Sequence, residues 1–273
     1  MSTRYLVPLL LVLAPPALAA PSAATQALFD ALRLGDVIAI MRQEGVEYGA
    51  DLEAEMFPGD GGPAWAAAVD TIYDAAAMER GILDGLDTRL EDDDAEELAD
   101  FFTSEPGQTI VDLEIEARRA MRDSDVEEAA EERAMQMRQD GSERMDLIED
   151  FIAANGLIEQ NIAGALNSNF AFYRGLDEGN AFEVPMTEDQ MIMDVWAQEP
   201  EIRDDTEQWV YGYLTLAYQP LSDGDLEAYI ALSQTDAGQA LNDALFAAFD
   251  VVYSDISRQL GARAADFMQG EDI

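Results

Sequence analysis

Apolar positions recur along this chain every three to four residues, the spacing of one buried helix face. Leu28 and Leu32 begin the pattern over 25–33, and Val37, Ile40 and Met41 continue it over 36–56. The stretch Phe57-Pro58-Gly59-Asp60-Gly61-Gly62 breaks it. Pro63 suits a first helical turn, where its missing N–H has no partner to lose. A single helix is predicted from there through Trp65, Val69, Ile72, Tyr73 and Met78 to about Leu83. After Gly141, Ser142 is placed to cap a helix carrying Met145, Ile148, Phe151 and Ile152 up to Gly156. Ile158, Ile162 and Leu166 extend the pattern, and a last long helix runs to about Met268. Trp209, Tyr211, Tyr213 and Tyr218 fall on more than one side of a helix, which predicts that it is covered on several sides. No stretch alternates in the way a strand does. The predicted class is all-α.

One piece of this pattern occurs twice. Phe101–Ile110 reads F-F-T-S-E-P-G-Q-T-I, and Leu232–Leu241, 131 residues later, reads L-S-Q-T-D-A-G-Q-A-L. The same offset pairs Leu90 with Leu221, Asp92 with Asp223, Asp94 with Asp225, Glu96 with Glu227 and Asp112 with Asp243. Each copy reads as an acid-capped helix, a tight corner and a longer helix. The corner residues are Ser104, Pro106, Gly107 and Gln108 in one copy and Thr235, Gly238 and Gln239 in the other. If Asp236 caps the second long helix, Gln239 completes a capping box; if Thr235 does, Gln239 falls one position too far. Both registers are open. A glycine in that turn costs helix stability, so close approach of two backbones is its expected use. The predicted body is therefore two tandem multi-helix units, 20–122 and 142–273, packed as a helical bundle and joined by an acidic connector over 123–141. Pairing Gly45 with Gly156 places 20 extra residues in the second unit, within an insert near 177–205 that holds Pro185, a capping box at Thr187 and Gln190, and Trp196.

These paired corners resemble the secreted bacterial family that carries the domain of unknown function numbered 2059. The C-terminal copy, over 145–261, is the expected closer match. The resemblance implies a helical fold and an exported protein, and implies no activity.

Composition agrees with export. Arg4 precedes a short apolar run over 5–13, and Ala17-Leu18-Ala19 gives a small-x-small cleavage pattern. The expected signal peptide is 1–19, with cleavage after Ala19 and a periplasmic destination. The run is too short for a membrane span, which takes about 20 apolar residues. The chain has no Cys and no His, all 15 of its basic residues are Arg, and its net charge is −42. Such a chain repels nucleic acid and anionic lipid. Without Cys, His or Lys it offers no thiol nucleophile, His-based triad, His/Cys metal or haem site, or Schiff base. No catalytic residue, cofactor or specific metal site is assigned.

Carboxylate chemistry remains. A catalytic acid needs an apolar pocket that raises its pKa, and Glu159 and Glu178, with apolar or aromatic residues nearby in sequence, are the acids singled out for such a role. Asp92–Asp94 with Glu96, and Asp223, Asp225 and Glu227, supply oxygen ligands in both copies but lack the glycine and closing glutamate of an EF-hand loop. Helix capping explains them, and the charge alone gives a weak, diffuse attraction for divalent cations. Arg118, Arg119 and Arg122 form a local positive cluster, with Glu114 placed to pair with Arg118 one turn away. The aromatic residues of the second unit, Phe172, Tyr173, Trp196, Trp209 and Tyr213, are the candidate interaction face, since Tyr and Trp concentrate where one chain binds another. The expected function is a non-enzymatic, exported, acidic module binding a protein or peptide partner. The alternative is a carboxylate-dependent envelope hydrolase or a divalent-cation-binding protein.

Overall fold

The computed structural model describes residues 20–182 and 184–270. The expected signal peptide lies outside them. Among the described residues there are thirteen helices and no strand. The first six are α1 (Ala23–Ala31), α2 (Leu34–Met56), α3 (Gly62–Ile72), α4 (Ala75–Asp87), α5 (Asp92–Thr103) and α6 (Glu105–Ala120). Then come α7 (Ser124–Asp140), α8 (Glu143–Asn155), α9 (Leu157–Glu178), α10 (Glu188–Trp196), α11 (Glu199–Tyr218), α12 (Asp223–Ser233) and α13 (Asp236–Met268). No helix among them is long and apolar enough to cross a membrane.

The single helix expected from Pro63 is two. Tyr73 leaves helical geometry, and the Asp74 side chain accepts from the Ala77 N–H, which starts α4 afresh. The acidic connector is itself α7, which buries Ala130, Ala134 and Met137 and packs on α11. The capping box at Thr187 and Gln190 is formed.

A second local likeness accompanies that of the corners, in a different register from the one the Gly45–Gly156 pairing gave. α1 passes into α2 through a left-handed residue, Arg33, with φ 51°. α8 passes into α9 through Gly156, with φ 59°. Arg33, not Gly45, is therefore the partner of Gly156. Gly45 lies inside α2, where its missing side chain makes room for the Tyr73 ring. The offset is then 123 residues at this joint and 131 at the corner, so the stretch from joint to corner is longer by 8 residues at its second occurrence rather than by 20. Most of the excess is in α11, which has 20 residues against 13 in its counterpart α4.

Both corners are built alike. The Ser104 hydroxyl accepts from the Gly107 N–H, and the Thr235 hydroxyl accepts from the Gly238 N–H, so Ser104 and Thr235 are the caps. The glutamines are freed from any capping box and reach outward. Gln108 donates to the carbonyls of Phe102 and Ala31, and Gln239 to those of Ser233 and Ala154. Each glutamine thus ties its own corner to the frayed end of the unit's first helix, where carbonyls lack helical partners.

The long helices that leave the corners cross between units. α6 of the first unit packs on α11 of the second, and α13 packs on α4 as well as on α9. Two apolar cores result. One joins α1–α5 to α13, with Val111 and Ile115 of α6 and Leu176 of α9, and the other joins the opposite side of α6 to α7, α8, α11 and α12. α9 and α13 meet backbone to backbone. A side chain at Gly175 would lie 2.1 Å from the Arg258 carbonyl oxygen, and one at Gly261 2.2 Å from that of Phe172.

Candidate functional site

The crossing of the long helices leaves a cavity of about 280 Å³ between the two cores, walled by α5, α6, α8, the start of α9, α11, α12 and α13. Its lining is mainly Leu and Phe. One carboxyl group enters it, that of Glu114 on α6. Tyr218 donates its hydroxyl to Glu114 Oε1 at 2.7 Å, and Tyr213 donates to the Glu114 backbone carbonyl at 3.1 Å. Tyr229 also lines the cavity, with its ring 4.8 Å from Phe151 and 5.9 Å from Phe102, centre to centre. Phe151 in turn meets Tyr218 edge to face at 5.4 Å. Asn155 donates to Ser233 at 3.2 Å, and Asn242 to the Asn155 carbonyl at 2.9 Å, making a second, neutral polar group on the lining.

Glu114 lies deep among packed groups while keeping part of its surface toward the cavity. Loss of solvent raises its pKa from the ordinary carboxylate value to about 7, against the opposing pull of the Tyr218 and Tyr229 hydroxyls. Burial, reinforced by the neighbouring Glu114 charge, also raises the tyrosines themselves, so they stay neutral donors. The expected pairing of Glu114 with Arg118 does not form. Arg118 reaches the other way, to Glu44, with Nη2 2.7 Å from Oε2 and Nε 3.2 Å from Oε1, and its guanidinium lies 5.4 Å from the Trp209 ring centre.

The acids singled out from sequence are elsewhere. Glu159 is exposed and paired with Arg203 at 2.6 Å, which lowers its pKa. Glu178 is held by Arg258 at 3.1 Å on the surface. Neither sits in the apolar pocket that general-acid work requires. Their apolar sequence neighbours point to other faces of α9. Among the described residues no group of three acidic side chains is placed to hold a metal ion. Asp223 pairs with Arg144, and the Asp225 N–H is capped by Ser222.

The five aromatic residues do not make one face. Tyr213 is partly buried beside the cavity, with Trp209 stacked on it at 5.0 Å. Tyr173 stacks on Phe182 at 6.5 Å, and Phe172 packs on the first core. Trp196 is 62 % exposed. Trp196 belongs to a different surface, on α10. There Met191 and Val195 turn inward, while Ile192, Met193 and Trp196 turn outward and stay exposed. Asp189 lies one turn before Met193 on that outer face, between the exposed Glu188 and the first apolar residues of the patch.

A family model described as "Uncharacterized protein conserved in bacteria (DUF2059)" matches residues 76–136. That stretch runs from α4 into α7 and contains the first corner and Glu114. The second corner and the stretch 145–261, expected to match more closely, lie outside it. No curated protein and no solved structure gives a significant match.

Proposed function

We propose that this chain is an exported, non-enzymatic binding protein whose α10 face docks a basic, amphipathic segment of another protein. The observation that carries this reading is the exposed trio Ile192, Met193 and Trp196 on one short helix. Single exposed apolar side chains need no explanation, whereas three together, one of them a Trp, have the make-up of an interface anchor. The acidic rim and a net charge of −42 favour a cationic partner and oppose pairing of two copies of this chain.

A synthetic helical peptide with Lys on one face and Leu on the other is the direct probe. The paired change Met193→Asp and Trp196→Asp should weaken its binding by about 30-fold or more, as for an anchor worth about 2 kcal/mol. The melting temperature should not change, because these side chains contact solvent. Equal binding by the variant would reduce the attraction to diffuse charge and end the docking account. Export is tested separately by N-terminal sequencing of the protein from the periplasmic fraction. Ala20 as the first residue is expected, and a chain retaining Met1 in the cytoplasm contradicts it.

A hydrolase is less well supported. Glu114 has the raised pKa of a general acid, but it is the single carboxyl group on the cavity lining, and glycosidic hydrolysis by the usual routes takes two.

A further inference from the structure

Glu114 presents an imbalance that the fold does not resolve. It is a deeply packed acid, and no arginine contributes to its environment; the nearest on its own helix, Arg118, is committed to Glu44. The groups that face it are the hydroxyls of Tyr213 and Tyr218 on α11 and Tyr229 on α12, all neutral donors, while α5, α8 and α13 turn apolar or amide side chains toward the cavity. A buried acid without a partner charge is costly, and a purely structural site is more stable with an apolar residue there. The other copy has one: at the repeat offset of 131, Glu114 corresponds to Leu245, which lines the same cavity. The rings of Tyr213, Tyr218, Tyr229, Phe151 and Phe249 line the same cavity as the carboxyl. Aromatic faces carry negative potential and attract a cation within about 6 Å of the ring centre, most strongly where water is excluded.

We propose that this cavity binds a small organic cation, an amine or a quaternary ammonium ion, with the Glu114 carboxylate as its counter-charge and the surrounding rings as its cage. The volume of about 280 Å³ equals that of about nine liquid waters, enough for a compact ligand and too small for a peptide. The anionic surface raises the local concentration of cations at the entrance. This proposal does not depend on what α10 binds, since the two sites share no residue. Below the pKa of Glu114 the ligand must displace a proton from the carboxyl group, so binding strengthens as pH rises through the neutral range and releases a proton.

The test is calorimetric titration of the full-length mature protein at fixed sodium chloride concentration with three probes. They are choline, n-butylamine and 3,3-dimethylbutan-1-ol, the last a neutral carbon isostere of choline. At least one of the cations should saturate at one site per chain. The neutral isostere should bind at least about tenfold more weakly, the discrimination expected of a desolvated cation cage. Choline preferred over butylamine assigns a quaternary ammonium site, and the reverse assigns a primary amine site. E114Q, which keeps the shape and the tyrosine contacts, should weaken the cation by about tenfold or more and leave the isostere unchanged. If E114Q does not fold, Tyr229→Phe, which keeps the ring and loses a hydroxyl, should retain cation binding, and Phe249→Leu should weaken it. Saturation by neither cation, equal binding of choline and its isostere, or loss of nothing in any variant would overturn the proposal.

Discussion

Replacing Gly238 with Val should lower stability by about 4 kcal/mol or more, in the range of severe single substitutions. For a chain of this length that is a fall in melting temperature of roughly 10 °C or more. A Cβ at Gly238 would lie 2.0 Å from the Leu232 carbonyl oxygen and 3.0 Å from the Ser233 Cα, inside contact distance for both. The carbonyl cannot yield, because it accepts from the Thr235 N–H at 3.0 Å and from the Thr235 hydroxyl at 2.7 Å. Moving it also pulls Gln239 away from the Ala154 carbonyl at the end of α8. The overlap starts at Cβ, so Gly238→Ala should already lose much of this stability. Gly107 meets the Phe101 carbonyl oxygen at 2.1 Å and should behave the same way. Gly164, in the middle of α9 with nothing within 4 Å of a Cβ, is the control. Gly164→Ala should be neutral or stabilising by up to about 1 kcal/mol, since Gly is a poor helix former. Thermal or denaturant unfolding of the three alanine variants reads all of this at once. Corner variants as stable as the Gly164 variant would mean that the corners are not close-packed.

The second large effect is a pH dependence that belongs to one residue. Glu114 in the folded chain binds its proton up to about pH 7, whereas in the unfolded chain it releases it near the ordinary value of 4.5. Between those values the folded state holds more protons than the unfolded state, so stability falls as pH rises through this window. Below about pH 4.5 both states are protonated and the group contributes no slope. The full loss is on the order of 3 kcal/mol, from a shift between 4.5 and about 7. Repulsion among the other acids gives a slope of the same sign, so the observable is the difference between the wild type and E114Q. E114Q should be the more stable protein at pH 8 by roughly that amount, with the gap closing toward pH 5. Parallel stability curves would show that Glu114 ionises as an ordinary surface acid.

How much of this was legible in the sequence follows from how local each signal is. The corners were readable because a cap, a turn glycine and a glutamine lie within a few residues and recur together. Their chemistry was only half readable. The glutamines act on carbonyls 77 and 85 residues away, and only the assembled fold brings these into reach. The α1–α2 joint was placed by the apolar spacing, but its likeness to the joint at Gly156 went unseen because Arg33, not Gly, takes the left-handed conformation there. The break at Tyr73 was hidden because apolar spacing continues across it, and one Asp cap decided the outcome.

Glu114 was the hardest to find. It stands in Asp112-Leu113-Glu114-Ile115-Glu116, where the other acids face water, and the tyrosines that enclose it come 99 and 104 residues later. A signal did exist. At the offset of 131 the position is Leu245, and an acid where the matching position holds a half-buried Leu marks a site that needs a reason. The aromatic residues misled in the opposite direction. Tyr213 and Trp209 are drawn inward by α6, while Trp196 is left outside on a helix too short to bury both of its faces.

The most direct single test of the central site is the carboxyl titration of Glu114 itself, followed by carbon-13 NMR and assigned by its absence in E114Q, with and without saturating choline. A free-state midpoint near 7 that falls well into the acidic range when choline is bound is the predicted result. A midpoint in the ordinary glutamate range in the free protein, unmoved by the cation, would contradict both the burial of this group and its role as a counter-charge.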